Sequence, residues 1–175
     1  MGVIMGKAHL RALFEEQIPR LRRYARALLR DSEDADDLVQ DCLERAWSRS
    51  HRWKPDSDLR AWMFTIMHNL YVNMIRRNEK RQTMALDDMR DPPDPTLSGQ
   101  ERSDGLCDLE KGLATLPAEQ REVLLMVCLE DLSYQQVAGI LGVPLGPVMS
   151  RLHRARERMR RWMKEEHPTA LRRVK

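Results

Sequence analysis

The chain has 175 residues, of which 42% are hydrophobic and 33% are charged, and its formal net charge is +3 at pH 7. A chain of this length can form one domain or two small ones, each with a modest core. No apolar run approaches membrane-spanning length and the first residues lack a secretory leader, so we expect a cytoplasmic protein without direct membrane insertion. The cysteines are too far apart for a disulfide framework or a zinc site, and we expect reduced, buried thiols and no metal at Cys42, Cys107 and Cys128.

The segment from about Lys7 to Arg81 has the apolar spacing of helices. Pro19 suits a first helical turn, where an amide hydrogen has no intrahelical partner, so we expect a helix to open there. Asp31 to Asp34 supply caps and negative charge for the next helix. The apolar positions on either side of these caps are Leu10, Leu13, Phe14, Ile18, Leu21, Tyr24, Ala25, Leu28 and Leu29, then Leu38, Val39, Leu43, Ala46 and Trp47.

A further helix is predicted from Leu59 to about Arg77. It mixes aromatic, amide and basic side chains, which can respectively stack on unpaired bases, hydrogen-bond to base edges and bind a strand's phosphates. After it, an acidic and proline-containing stretch over 83–105 predicts a flexible linker with no core of its own. The predicted fold is therefore all-α, with two small helical domains at 7–82 and 106–166, this acidic linker between them, and a basic tail at 167–175.

The second domain has the pattern of a helix-turn-helix. Leu116-Pro117 opens a helix that runs through Leu129, and Ser133 with Gln136 fits a capping box at the start of the next one. Gly142 can adopt the left-handed conformation that ends a helix, and the short turn after it forces the following helix to cross at a steep angle. That last helix begins near Pro144 or near Pro147, since proline is tolerated in a first turn.

Positive charge is concentrated in this last helix and the tail. Residues 146–175 contain ten Lys or Arg against three Glu, a surplus of seven on a chain whose total is +3. Such a cluster favours phosphate backbones, and arginine can also pair with guanine in the major groove. A solvated helix face is the commoner explanation of a charge run, but its combination with the helix-turn-helix favours DNA binding. The buried face of the helix is predicted at Leu152, Ala155, Met159 and Met163.

Four stretches in this order resemble one known family. They are Asp34 to Asp41 with Arg45-Ala46-Trp47, Leu59 to Ile66 continuing to Arg76-Arg77, Leu116 to Val123, and the helix-turn-helix ending in Ser150 to Arg156. Together they resemble a bacterial RNA polymerase sigma factor of the extracytoplasmic-function (ECF) group in the sigma-70 family. The resemblance implies a protein without catalysis that brings core RNA polymerase to promoter DNA, and an anti-sigma factor, often membrane-anchored, that sequesters it.

The resemblance also implies a polymerase-binding helix in the first domain. In the family, the matching helix docks on the clamp coiled coil of RNA polymerase, where rim charges orient a contact and buried groups hold it. The alternative is an ordinary capped helix whose Leu38 and Val39 belong to the core. The matching residues here are Asp37, Leu38, Val39, Gln40 and Asp41.

Two DNA-binding helices are implied as well. The first opens and reads the minus-ten element, and its expected contacts are Asn69, Asn73, Arg76, Arg77 and Arg81, with Trp62, Phe64 and Ile66 as core. The second reads the minus-thirty-five element, and its expected contacts are Met149, Ser150, Arg151, His153, Arg154 and Arg158, with Arg151 and Arg154 favoured for phosphate or guanine.

The chain departs from the family pattern at three positions. Asn73 stands where aspartate is frequent, and Gln136 stands where glutamate is usual. Pro147 replaces a usual threonine and cannot offer a hydroxyl to a phosphate, so one common backbone contact is expected to be missing. The acidic linker resembles the family's interdomain linker, whose charge could mimic nucleic acid inside the polymerase, although a plain tether needs no such role.

Three other classes of protein compete with a sigma factor. A stand-alone helix-turn-helix regulator explains the second domain but leaves the aromatic-basic helix and the acidic ridge of the first domain without a role. A small helical enzyme is disfavoured because the sequence shows no nucleophile beside a base, no metal cluster and no phosphate-binding glycine loop, so no catalytic residue, cofactor or small-molecule substrate is expected. A scaffold that merely binds polymerase would tolerate substitution of Arg76 and Arg77.

Overall fold

The computed structural model describes residues 7–29, 31–85 and 104–166, with side chains described for 8–29, 31–78, 80 and 108–164. Within these ranges the chain forms seven α-helices and one short 3-10 helix at Ser50–Arg52, without a strand, which confirms the predicted all-α class. The helices are α1 (Lys7–Leu28), α2 (Ser32–Ser48), α3 (Leu59–Ala85), α4 (Asp104–Ala114), α5 (Ala118–Cys128), α6 (Tyr134–Leu141) and α7 (Leu145–Glu166).

The first three helices pack around aromatic side chains. Tyr24 of α1 and Phe64 of α3 are both fully buried, and their rings meet edge to face with centroids 5.0 Å apart. Ile66 is buried as predicted, while Trp62 is half-buried and lies 6.3 Å from the ring of Phe14. Edge-to-face pairs of aromatic rings add stability beyond that of the area they bury. This cluster therefore fixes the position of α3 on α1.

Pro19 lies inside α1, so the prediction that it opens a helix is wrong. The ring removes the hydrogen bond that the carbonyl of Glu15 would accept and usually kinks a helix. Pro19 is exposed, however, whereas Phe14 and Leu21 on either side of it are buried. Packing of the flanking turns outweighs the local proline signal because most helix stability in proteins comes from the buried face.

The cap predicted for α2 is confirmed. The carboxylate of Asp31 accepts hydrogen bonds from the backbone amides of Glu33 and Asp34 at 2.7 and 3.1 Å. Both acidic residues lie in the first turn, where negative charge is favourable. The start of the candidate polymerase-binding helix is thus fixed by its own sequence.

The helix-turn-helix forms as its sequence predicts. The Ser133 hydroxyl accepts from the Gln136 amide at 3.2 Å, and the Gln136 side chain accepts from the Ser133 amide at 2.9 Å, which completes the capping box. Gly142 ends α6 with φ +63°, a left-handed conformation that a residue with Cβ rarely adopts. The last helix begins at Leu145, between the two alternatives, and Pro147 lies in its first turn.

Removal of the capping box is expected to weaken α6 without abolishing folding. Ser133→Ala should lower the free energy of unfolding by about 1 kcal/mol, because the amide of the third helical residue loses its acceptor. Urea denaturation followed by circular dichroism measures this change. Ser150→Ala, at an exposed position inside α7, is the matched control, and an equal loss in both variants would show that the cap contributes nothing.

The helices extend into both ends of the predicted linker. α3 continues to Ala85 and α4 begins at Asp104, so 83–85 and 104–105 are helical rather than linker. The rest of the predicted linker, 86–103, and the predicted basic tail, 167–175, lie outside the described residues. Among the described residues, no helix is both long enough and apolar enough to cross a bilayer.

The C-terminal helices pack directly on the N-terminal ones. α5 contacts α1, α6 contacts α3, and buried residues of both halves form one continuous core. The prediction of two helical units did not include this contact. We call it the interdomain junction, formed by Arg20, Arg23, Leu28, Asp58, Arg60, His68 and Tyr71 on one side and Arg121, Glu122, Glu130 and Gln136 on the other.

A buried carboxylate lies at the centre of the interdomain junction. Glu130 is 0% exposed, and its Oε1 accepts hydrogen bonds from Nε and Nη2 of Arg23 at 3.0 and 2.8 Å. Arg20 Nη1 lies 3.8 Å from the other carboxylate oxygen, and Arg60 Nη1 donates to the Glu130 carbonyl at 3.0 Å. A buried charge is tolerated only when it is paired, so docking of the two halves depends on these arginines.

A second buried acid of the junction lies among aromatic rings. Glu122 is 5% exposed, and its Oε1 is 2.5 Å from Nδ1 of His68. Burial raises the pKa of Tyr24 well above its usual value, and the Glu122 charge raises it further. Burial and then Glu122 also raise the pKa of Tyr71. Both phenols therefore stay protonated around this carboxylate.

Candidate polymerase and promoter surfaces

Four of the predicted minus-ten residues share one exposed face of α3. Asn69, Asn73, Arg76 and Arg77 are all exposed. Asn73 lies four residues after Asn69, and the two arginines lie three and four residues after Asn73, which brings them to the same side of a helix. The Asn69 side-chain amide donates to the Thr65 carbonyl at 2.8 Å, which leaves its oxygen pointing away from that bond. The side chain of Arg81, the fifth predicted contact, lies outside those described. We call the four exposed residues the α3 face.

No aromatic ring is exposed on the described part of α3. Tyr71 is 3% exposed and packs into the core, and Phe64 is fully buried. The half-buried Trp62 packs against Phe14. The α3 face therefore offers amides and guanidinium groups, which hydrogen-bond to bases and phosphates, rather than a stacking platform.

Of the five predicted polymerase-binding residues, two are buried and three are exposed. Leu38 and Val39 are 4% and 3% exposed and belong to the core, as in the alternative of an ordinary capped helix. The other three, Asp37, Gln40 and Asp41, are exposed on the outer side of α2. Leu38 and Val39 can therefore only position this surface, because their side chains face inward.

An exposed tryptophan lies on the same helix. Trp47 is 45% exposed, and its ring meets Phe14 edge to face with centroids 5.9 Å apart. Large aromatic residues with one free face are enriched in protein interfaces. Trp47 and the exposed acidic residues of α2 thus form a mixed apolar and negative surface.

The predicted recognition helix exposes most of its candidate contacts. Ser150, His153, Arg154 and Arg158 are exposed, and Met149 is 51% exposed. The predicted buried face is confirmed for Leu152, Ala155 and Met159, while Met163 is half-buried. Helix α7 thus packs through one side and presents the other, as a recognition helix requires.

Arg151 is the exception among these candidates. Its Nη2 lies 2.8 Å from Oε2 of Glu119 in the first turn of α5, and its side chain is only 25% exposed. It lies between the buried positions of α7 and the neighbouring helix rather than on the open face. An ion pair with so exposed a partner is worth about 0–1 kcal/mol, so the pair orients Arg151 without locking it.

The expectation of buried thiols holds for one of the two described cysteines. Cys42 is fully buried, and burial together with the Asp41 charge raises the pKa of its thiol to about 12. Cys128 is exposed at the end of α5, which corrects the expectation, and its Sγ lies 3.7 Å from Arg156 Nη2. The side chain of Cys107 is outside those described. Across the described ranges, no three His, Cys, Asp or Glu side chains are grouped to hold a metal ion.

Comparisons with known proteins agree with this arrangement. Residues 14–68 match the family model of the sigma2 domain of PhyR, and residues 108–159 match that of sigma-70 region 4. The ECF RNA polymerase sigma factor EcfG of Rhodopseudomonas palustris is 34% identical over 145 residues, which cover 81% of this chain and 78% of the relative. This chain belongs to the ECF family of RNA polymerase sigma factors. It is an alternative sigma factor, and its partners are RNA polymerase and promoter DNA.

Other relatives cover still more of this sigma factor. SigL of Mycobacterium tuberculosis is 32% identical over 161 residues, or 90% of each chain. Among solved structures, the sigma factor RpoE of Bartonella quintana, crystallised with the anti-sigma factor NepR, is 31% identical, superposes with a TM-score of 0.77, and matches 90% of this chain and 98% of its own. The shared fold therefore includes both halves.

The sequence did not indicate the interdomain junction of this sigma factor. Arg23 and Glu130 are 107 residues apart, and His68 and Glu122 are 54 residues apart. No local periodicity connects such pairs. The one available signal was an acid at the start of the apolar run Val123 to Met126, where a charge on a buried helix demands a partner.

Proposed function

We propose that this sigma factor divides promoter recognition between its two halves. The unit at 106–166 would place α7 in the major groove of the minus-thirty-five element, and the unit at 7–82 would hold the opened minus-ten strand on the α3 face. The observation that carries this proposal is that one chain exposes both an amide-arginine face and a recognition helix. Two weak contacts on one chain reinforce each other through effective concentration.

The exposed side of α2 is the proposed contact with core RNA polymerase. Asp37, Gln40 and Asp41 would orient the encounter, and Trp47 would supply buried apolar area. Arg81 is retained as a proposed minus-ten contact only because it continues the basic sequence of this helix. The protein would act by binding, leaving catalysis to the polymerase, and it would work in the cytoplasm.

We further propose control by an anti-sigma factor. The support is the RpoE structure, whose sigma factor is 31% identical to this chain and is bound to NepR. An inhibitor of this kind would compete with polymerase for the sigma factor. Association of the purified chain with a candidate inhibitor, followed by loss of transcription in vitro, tests this part of the proposal.

Transcription in vitro tests the proposed function as a whole. The purified chain is added to core RNA polymerase on a library of random promoter templates, and the starts are sequenced. Selective initiation downstream of a two-part motif is expected. Tight and selective duplex binding without polymerase, with no initiation, would instead favour a stand-alone regulator and overturn the proposal.

A phosphate contact is expected from the distal part of α7. Arg158 is exposed nine residues beyond Met149, and the N-terminal part of a recognition helix, rather than its distal part, reaches base edges. Arg158→Ala should weaken holoenzyme binding equally across promoter sequences and reduce the slope of log affinity against log salt by about 1. Fluorescence anisotropy over a salt series measures the slope. Arg11→Ala, on the surface of α1, should leave it unchanged, and an unaltered slope for Arg158→Ala would rule out the contact.

A further inference from the structure

The exposed surface of the first two turns of α7 is almost without hydrogen-bonding side chains. Leu145 and Met149 are 41% and 51% exposed, and Gly146, Pro147 and Ser150 are exposed beside them. Of these five residues, only Ser150 carries a polar group. These are the turns that approach base edges when such a helix enters the major groove, so this helix has little with which to hydrogen-bond to purines there.

The nearest guanidinium groups do not fill this gap. Arg151 lies two residues after Met149, on the opposite side of the helix, and its side chain is only 25% exposed beside Glu119 of α5. Arg154 is exposed but lies one turn or more beyond Met149, on a different part of the helix surface. Leu145 and Met149, four residues apart, are neighbours on the helix and form one apolar patch. Apart from the Ser150 hydroxyl and the His153 ring one turn further on, the tip of α7 offers a base only apolar contact.

Only one base offers an apolar group in the major groove. Thymine carries a C5-methyl there, whereas the other bases present donors and acceptors. We propose that Met149 reads a thymine methyl of the minus-thirty-five element and is a specificity-determining residue of this sigma factor. The inference rests on the proposed function, because it requires α7 to bind that element.

The charge around the patch favours DNA over a protein as its occupant. Beyond the patch along α7, Arg154, Arg158 and Arg161 outnumber Glu157 in the lining of an open groove of about 620 Å³. DNA phosphates can pair with these arginines while a base edge contacts the apolar patch of Leu145 and Met149. A hydrophobic protein partner would leave these arginines without acceptors.

The test removes a single methyl group from the DNA. Once a promoter has been selected with core polymerase, each thymine of its upstream element is replaced in turn by deoxyuridine, and holoenzyme binding is measured by anisotropy. The wild-type protein is expected to lose about fourfold in affinity at one position, the loss that burial of one methyl predicts. Met149→Ala should show the same loss on thymine DNA and no further loss on deoxyuridine DNA.

Two variants control for general effects of the substitution. Met149→Leu keeps an apolar side chain and should keep the sensitivity to deoxyuridine. Leu109→Ala, at an exposed apolar position of α4, should change neither affinity nor sensitivity.

Three results would overturn the inference. The first is that the affinity of wild-type holoenzyme stays the same whichever thymine of the element is replaced by deoxyuridine. Met149→Ala could retain the wild-type sensitivity at the same position. Met149→Ala could weaken association with core polymerase while deoxyuridine has no effect, which would make the patch a protein-docking face. Failure of the proposed function looks different, since the holoenzyme would then select no upstream element at all, and the inference would fall with it.

Discussion

Replacing both Arg20 and Arg23 with methionine is expected to separate the two halves of the molecule. The carboxylate of Glu130 is 0% exposed and has these two arginines as its ion-pair partners in the described structure. A buried charge that loses its partners destabilises its surroundings by about 3–5 kcal/mol. Separation of the halves returns the carboxylate to water, so the molecule opens rather than unfolds. Small-angle X-ray scattering should show a radius of gyration above the value of about 16 Å that a compact chain of this length has.

Two further variants make this result specific. Glu130→Gln, added to the double arginine variant, removes the unpaired charge and should restore a compact form. Arg11→Met with Arg22→Met removes the same number of surface charges from α1 away from the junction. If the Arg20 and Arg23 variant stays as compact and as stable as the wild type, the ion pairs do not hold the junction.

Docking of the halves has a consequence for promoter binding. The names of the minus-thirty-five and minus-ten elements place them about 25 base pairs apart, which is roughly 85 Å along B-DNA. A molecule whose α6 packs on α3 cannot place one half on each element at once. If the two halves bind the two elements as proposed, the junction has to open before full promoter engagement, and the free energy of the junction opposes that step. The opened variant is accordingly expected to bind promoter DNA with polymerase at least as tightly as the wild type.

Alanine substitution of both Arg76 and Arg77 is expected to block promoter opening. Both guanidinium groups are exposed on the α3 face, where they can hold the phosphates of the separated strand. Loss of two charge-assisted contacts should reduce initiation from duplex promoters by about 100-fold. Transcription in vitro measures this loss, and potassium permanganate footprinting reports whether the strands separate.

A template that is already open distinguishes this role from others. On a promoter with a mismatched minus-ten bubble, much of the lost initiation should return, because the strands no longer need to be separated. Arg11→Ala with Arg22→Ala, on the exposed side of α1, is the charge-matched control and should initiate normally on duplex DNA. Normal opening by the Arg76 and Arg77 variant would instead support a scaffold that merely binds polymerase.

Local signals predicted the individual elements well. The Asp31 cap, the capping box of Ser133 and Gln136, and the glycine end of α6 all formed as the sequence indicated. Each depends on atoms within a few residues of one another, so the chain specifies them wherever it folds. Pro19 shows the limit of such signals, because the packing of buried neighbours keeps it inside α1.

The candidate site residues show the same contrast between local signals and the packing of distant helices. The periodicity of α3 and α7 predicted which of their residues are exposed, and the structure agrees for Asn73, Arg76 and Arg154. It could not predict the orientation of Arg151, which depends on Glu119 of another helix. For α2, the sequence left open whether Leu38 and Val39 face outward, and only packing against the neighbouring helices placed them in the core.

Composition, caps and periodicity are local properties, and they were enough to predict the all-α class, the helix-turn-helix and the concentration of positive charge on α7. Docking of the two halves, and with it the burial of Glu122 and Glu130, became visible only in the folded molecule. A carboxylate loses its water only when distant helices meet around it, and the partners of these two acids, Arg23 and His68, come from the other half of the chain.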